Sequence, residues 1–189
     1  MRKLPLTVAL TALLAAAPAA AAPSSGATMN ADLTPWVLLA PYAYGAGGGF
    51  GLGLRYQVAV APRGLLHLAN GVHDEFGIEF GADWVHYRNW DYYGYNWAYD
   101  EFSPTVGLAW NFWLTPQLAL YPKIDLAFRF GTWSRPPGYP YGYPYGHPGG
   151  YGGVDVELAA GLAFRIANRV ALRAEANTYA LCLGVAFKL

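Results

Sequence analysis

A chain of 189 residues with no net formal charge is long enough for one domain with a sizeable core and too short for two comfortable ones. Charged residues make up 13% of it and aromatic residues 16%, whereas water-soluble domains usually carry about 25% charge. The zero net charge points away from electrostatic capture of nucleic acid, and the low charge with high aromatic content is unusual for a domain that meets water on every side.

The chain opens with Arg2 and Lys3, an apolar stretch from Leu4 to Ala17, then Pro18 and the alanine-rich run Ala19 to Ala22. A basic start, an apolar middle and an A-x-A ending make a secretory signal peptide, so residues 1–22 are expected to be cleaved on export. Residues 23–35 read as a short N-terminal tail and residues 36–189 as the folded domain. The single cysteine, Cys182, leaves no internal disulfide and suits a small buried filler. After the leader no apolar run reaches the roughly 18 residues of a membrane helix, which excludes a helical bundle.

Beyond the leader the chain alternates with a period of two, the mark of strands with two unlike faces. Trp36 to Tyr44 is the poorest such segment, because Pro41 interrupts it. Phe50, Leu52, Leu54, Tyr56, Val58 and Val60 then alternate with Gly51, Gly53, Arg55, Gln57 and Ala59. Phe76, Ile78, Phe80 and Trp84 alternate with Gly77, Glu79, Gly81 and Asp83, and Val106, Leu108, Trp110 and Phe112 with Thr105, Gly107, Ala109 and Asn111. Leu118 to Phe130 places Ile124, Leu126 and Phe128 on one face and Lys123, Asp125 and Arg129 on the other. Val154 to Ile166 sets Val156 and Leu158 against Asp155, Glu157 and Arg165. A shorter strand from Val170 bears Arg173 and Glu175, and Tyr179 to Leu189 completes the set. The pattern predicts an all-β, antiparallel, up-and-down barrel of about eight strands.

Connection lengths alternate too. Residues 115–117 and 167–169 are short turns, whereas 88–101 and 132–153 are long loops at the other end of the meander. Short turns at one end and long loops at the other are the pattern of transmembrane barrels. The link from Ala61 to Asp74 breaks it, so either that link forms a local structure or the second strand is misplaced.

Alternation alone also fits a soluble barrel with an apolar interior. Side-chain volume separates the two, because an eight-stranded lumen is only wide enough for side chains to fill it. Here one parity is bulky and apolar, and the other is rich in glycine, alanine and balanced charge. The bulky face is therefore expected to meet lipid. Arg55, Lys123, Arg129, Arg165 and Arg173 share the inner parity with Glu79, Asp83, Asp125, Asp155, Glu157 and Glu175, which predicts an ion-paired network through the lumen.

On these features the chain resembles the small eight-stranded outer-membrane barrels of the OmpA, OmpX and opacity-protein type, over roughly residues 36–189. Its last strand, Leu181-Cys182-Leu183-Gly184-Val185-Ala186-Phe187-Lys188-Leu189, resembles the signal read by the barrel-assembly machinery, with Leu189 where an aromatic residue is typical. The resemblance implies a bacterial outer-membrane location, with membrane lipid including lipopolysaccharide and the assembly machinery as partners. It implies no particular activity.

Catalysis is not expected. Ser103 and His86 flank the same rim, but parity turns Ser103 inward and His86 outward, so nucleophile and base do not meet. His67, His73, His86 and His147 lack metal-ligand spacing, and Gly45 to Gly49 is followed by no helix that could cradle a phosphate, so neither metal nor cofactor is implied. The distinctive chemistry lies in the long loops. One carries Trp90, Tyr92, Tyr93, Tyr95, Trp97 and Tyr99, and the other the tandem Tyr139-Pro140-Tyr141-Gly142 and Tyr143-Pro144-Tyr145-Gly146. Such residues suit either external contacts with sugar or protein, or an aromatic girdle at the headgroups. A structural or surface-contact barrel is the leading reading. A narrow pore for ions or small solutes comes next, and an enzyme acting on lipid A last.

Overall fold

The computed structural model describes residues 31–40, 48–66, 72–90, 96–134 and 151–189. The expected leader and the tyrosine-proline repeat lie outside these residues. Eight strands are formed: β1 (Ala31–Ala40), β2 (Gly49–Ala61), β3 (His73–Trp90), β4 (Asn96–Trp113), β5 (Leu118–Ser134), β6 (Tyr151–Ala167), β7 (Val170–Asn177) and β8 (Leu181–Lys188). Each pairs antiparallel with the next, and β1 pairs with β8 to close the barrel.

The alternation sets the faces. On β5, Leu126 is 37% exposed whereas its neighbour Asp125 is 3% exposed. Phe50, Leu52, Leu54, Phe80, Trp84, Leu108, Val156, Leu158, Leu172 and Leu183 all stand on the outer surface. An apolar face of that extent, running round a closed wall, belongs against hydrocarbon. Prolines mark the weak points of the ladders, since they have no N–H to donate. The β1–β8 ladder lapses at Thr34 and Pro35, and the β4–β5 ladder at Ser103 and Pro104 and again opposite Pro122.

Several boundaries differ from those expected. β1 starts at Ala31 rather than Trp36, so part of the segment read as a tail belongs to the wall. Asp32 and Thr34 share the inward parity of Trp36 and Leu38, and this extends the strand upstream. The loop expected over 88–101 is shorter, because β3 runs to Trp90 and β4 begins at Asn96. Likewise β5 continues to Ser134 and β6 starts at Tyr151, inside the span read as 132–153.

The anomalous link after Ala61 has local structure, and β2 is correctly placed, in register with β3 past a bulge at Ala59/Ala61. The N–H of Gly64 donates to the Ala61 carbonyl at 3.0 Å, and Gly64 adopts φ = 79°, a left-handed conformation that glycine takes without steric cost. The β4–β5 and β7–β8 turns are fixed by side-chain oxygens. Thr115 Oγ1 accepts the N–H groups of Gln117 and Leu118, and Asn177 Oδ1 those of Tyr179 and Ala180.

Candidate functional site

The lumen is the most chemically loaded part of the molecule, and its residues come from all eight strands. Near its centre, Lys123 Nζ on β5 lies 2.8 Å from Glu79 Oε1, 3.0 Å from Asp125 Oδ2 and 3.0 Å from Glu175 Oε1. Glu79 on β3 also receives Arg55 Nε at 3.3 Å and faces Arg173 at 3.8 Å. Arg55 clasps Asp83 through both of its terminal nitrogens. Arg173 reaches Gln57 at 3.0 Å and Asp32 at 3.5 Å while its guanidinium lies over the Tyr121 ring, 4.5 Å from the centroid. The Tyr121 hydroxyl donates to Glu175 at 3.3 Å.

A second layer sits nearer the loop-bearing end. Arg129 pairs with Glu101 and Glu157, each at 2.5 Å, and with Asp155 at 3.6 Å. Glu101 also accepts from the hydroxyls of Tyr99 and Ser103, and the Tyr179 hydroxyl donates to Asp155. Beside this layer Trp36, Leu38, Val85, Tyr87, Tyr99 and Cys182 form a buried apolar cluster. At the short-turn end Trp113 Nε1 donates to Glu75 at 3.2 Å. A cavity of about 10 Å³ remains between Asp32, Glu75, Asn111 and Arg173, no more than the room one water needs.

Small residues make this packing possible. A Cβ added at Gly107 would run into the Asp125 carboxylate and lie 2.6 Å from the Ile124 carbonyl, and one at Gly161 would strike the Tyr121 ring. The glycine-rich inner parity is thus the space into which the long charged and aromatic side chains fold.

Arg55, Glu79, Asp83, Lys123, Asp125, Arg129, Glu157, Arg173 and Glu175 are all buried. Asp155 joins the outer layer with its side chain 33% exposed. Arg165 departs from expectation. It leans over the Trp113 ring at 4.4 Å, near the short-turn end, and makes no ion pair among the described residues. Tyr99 also departs. Expected as an external loop residue, it stands in the β4 wall, 5% exposed, stacked on Tyr87 at 5.5 Å with its hydroxyl on Glu101. Trp90 and Trp97 belong to the outer ends of β3 and β4, and Tyr92, Tyr93, Tyr95, Tyr139, Tyr141, Tyr143 and Tyr145 lie outside the described residues.

Sequence reasoning missed Asp32, in the segment read as tail, Glu101, in the segment read as loop, and Glu75, which falls between the link ending at Asp74 and the strand starting at Phe76. With them, buried acids outnumber buried bases, where near equality of charge was expected. Carrying the inward parity of Ser103 and Thr105 two residues upstream would have found Glu101. Ser103 and His86 do stand apart as parity requires. Ser103 Oγ donates inward to Glu101 at 3.2 Å, and His86 on the outer face pairs with Asp100 at 2.9 Å.

The outer layer offers a direct comparison of the two faces. Arg129→Met is expected to lower stability by about 3 kcal/mol, because it removes the guanidinium that pairs with Glu101 and Glu157. Leu126→Ile, on the opposite face, should cost less than about 1.5 kcal/mol. Urea midpoints of the two variants in the same vesicles check this, and equal midpoints would contradict the inward placement of Arg129.

No family model and no curated protein matches the chain. Among solved structures it is similar to Neisserial surface protein A, at 13% identity and a TM-score of 0.53, over 84% of this chain and 96% of that one. A de novo designed transmembrane β-barrel matches at 15% identity and a TM-score of 0.49, over 84% and 95% of the respective chains. Ail of Yersinia pestis, in complex with the heparin analogue sucrose octasulfate, matches at 12% identity and 0.47, over 83% and 95%. At such identities the likeness is one of fold. With its closed sheet, outward apolar wall and filled, charged lumen, the chain is an eight-stranded transmembrane β-barrel with the fold of the small outer-membrane barrels.

Proposed function

We propose that the chain is an integral barrel of the bacterial outer membrane, exported through a cleaved signal peptide, whose closed lumen conducts nothing and whose aromatic outer loops serve a structural or surface-contact role. The observation that carries this reading is the plug around Lys123. Its side chain has no solvent exposure and is held by Glu79, Asp125 and Glu175, with Tyr121 fully buried alongside. Conduction needs a continuous path in which ions bind and leave, and a fully buried cluster of this kind suits a plug across a lumen that is narrow at eight strands.

The outward wall supplies the lipid contacts, lipopolysaccharide among them at the loop-bearing end. The final strand β8, which closes the sheet against β1, supports recognition by the barrel-assembly machinery. Loops rich in tyrosine and tryptophan offer apolar area with hydrogen-bonding tips, suited to sugar or protein surfaces. Ser103 turns inward and His86 outward, so this nucleophile and this base are not in reach of each other.

Planar-bilayer recording of the purified mature chain tests the closed lumen. The expected record is silent. Steady unitary openings would overturn the reading and favour a narrow pore for ions or small solutes.

A further inference from the structure

Even-numbered residues of β3 point outward, as Phe80 and Trp84 do. Asp74 has that parity and lies opposite Phe112 in the register, so its carboxylate belongs on the lipid-facing wall. Yet it is only 1% exposed. The cover is the connection after β2. The N–H of Leu65 donates to Asp74 Oδ2 at 2.8 Å and that of Leu66 at 3.2 Å, while Trp110 Nε1 donates to the same oxygen at 2.9 Å. Gly64, with its positive φ, lies so close that a Cβ there would collide with the Asp74 side chain. The segment therefore folds back along the outside of the barrel.

Folding back gives these residues an unusual surface. The backbone N–H groups of Leu65 and Leu66 are used on Asp74, while the two residues are 56% and 45% exposed. Apolar side chains beside backbone N–H groups that already have an acceptor suit the membrane interface, where unpaired polar backbone is costly. The patch is continuous with an aromatic band on the wall beside it, in which Phe76 meets Trp110 edge-on at 6.2 Å and Trp110 packs on Phe112 at 5.1 Å. Bands of this kind mark the headgroup level. Arg63, exposed at the start of the segment, is placed to meet lipid phosphate.

We propose that residues 62–66 are an interfacial anchor that lays Leu65 and Leu66 into the phospholipid leaflet at the short-turn end of the barrel, with Asp74 as the outward-facing clasp that holds it there. The proposal rests on the transmembrane reading of the fold and adds a lipid-binding element to it. A connection that dangled in water would need neither the carboxylate clasp nor the paired leucines.

The test uses the mature chain in a Cys182→Ala background, refolded into phosphatidylcholine–phosphatidylglycerol vesicles. An environment-sensitive fluorophore is placed on Leu65→Cys, on Leu66→Cys, on Leu126→Cys in the wall and on Arg169→Cys in the short turn at the same end. Lipids carrying a nitroxide high on the acyl chain are expected to quench the Leu65 and Leu66 labels at least about twofold more than the Arg169 label, independently of the protein-to-lipid ratio. Adding Asp74→Ala should bring the quenching at Leu65 down to the Arg169 level while the Leu126 label stays quenched. If the Leu126 label is quenched and the Leu65 and Leu66 labels are not, the segment faces water or another protein and the anchor is refuted. Quenching that falls as protein is concentrated would reveal a second copy on the patch and equally refute it. If the Leu126 label also escapes quenching, the transmembrane reading itself has failed.

Discussion

Lys123→Met is expected to destabilise the barrel by about 3–5 kcal/mol, the usual cost of removing one partner from a buried ionic cluster. Methionine keeps much of the length and apolar stem of lysine, so the change removes charge more than volume. Glu79 retains Arg55 and Arg173, but Asp125 and Glu175 have no other cation within bridging distance among the described residues. Two carboxylates would then be buried without a counter-charge, since Asp125 and Glu175 are 3% and 4% exposed. The urea midpoint of the variant in vesicles, against that of the parent, reads the effect. Adding Asp125→Asn and Glu175→Gln to Lys123→Met should recover part of the loss, since it takes away the stranded charges. A parent-like midpoint for Lys123→Met alone would mean that the lumen is wet and the pairing energetically idle. Buried ionic clusters add little net stability, so the cluster's contribution is expected in register more than in stability. A one-residue slip of β5 would turn Lys123, Asp125 and Arg129 out to the hydrocarbon.

Leu126→Arg should cost about 2–4 kcal/mol when the chain is folded in a bilayer, the penalty for a basic group near the midplane. Leu126 stands near the middle of β5 on the outer wall, exposed and without a carboxylate neighbour on that face, its cross-strand partners being Val106 and Val156. The same substitution on a barrel bathed in water would change stability by no more than about 0.5 kcal/mol. The experiment therefore separates a lipid-facing wall from a solvated one by the size of a single number, again as a urea midpoint in vesicles. A shift within experimental scatter would return the chain to the class of secreted, water-soluble β-proteins.

The faces of β2, β5, β6 and β8 were legible in the sequence because the demands on the two sides are opposite there: hydrocarbon outside, packed charge and glycine inside. Legibility fades where that contrast fades. Around Tyr99 the inward residues are Tyr99, Glu101 and Ser103 and the outward ones Ala98, Asp100 and Phe102, so both sides are mixed and the strand reads as loop. Beyond the hydrocarbon an outward position no longer has to be apolar, which is how His86 and Asp100 come to pair on the outer face. The start of β1 is hidden for a similar reason: Asp32, Thr34 and Pro35 look like a polar tail until the interior is known to be the polar side. The Asp74 clasp was invisible because its burial comes from a segment of irregular backbone, and period-two alternation carries no information about that. Arg165 followed parity, but it lies at the barrel's end, where the Trp113 ring and not a carboxylate is in reach.

Closure of the sheet has a consequence for how the chain can be made. Asp32 and Arg173, joined by an ion pair inside the barrel, lie 141 residues apart along the chain, and the β1–β8 ladder brings together its earliest and latest strands. No partial product of synthesis can complete the wall, and until β8 arrives β1 keeps an open edge inviting pairing with other chains. Contacts so remote in sequence also form slowly. The ring can therefore be sealed only once β8 has been made, and until then the open edge of β1 needs shielding from other copies of the chain.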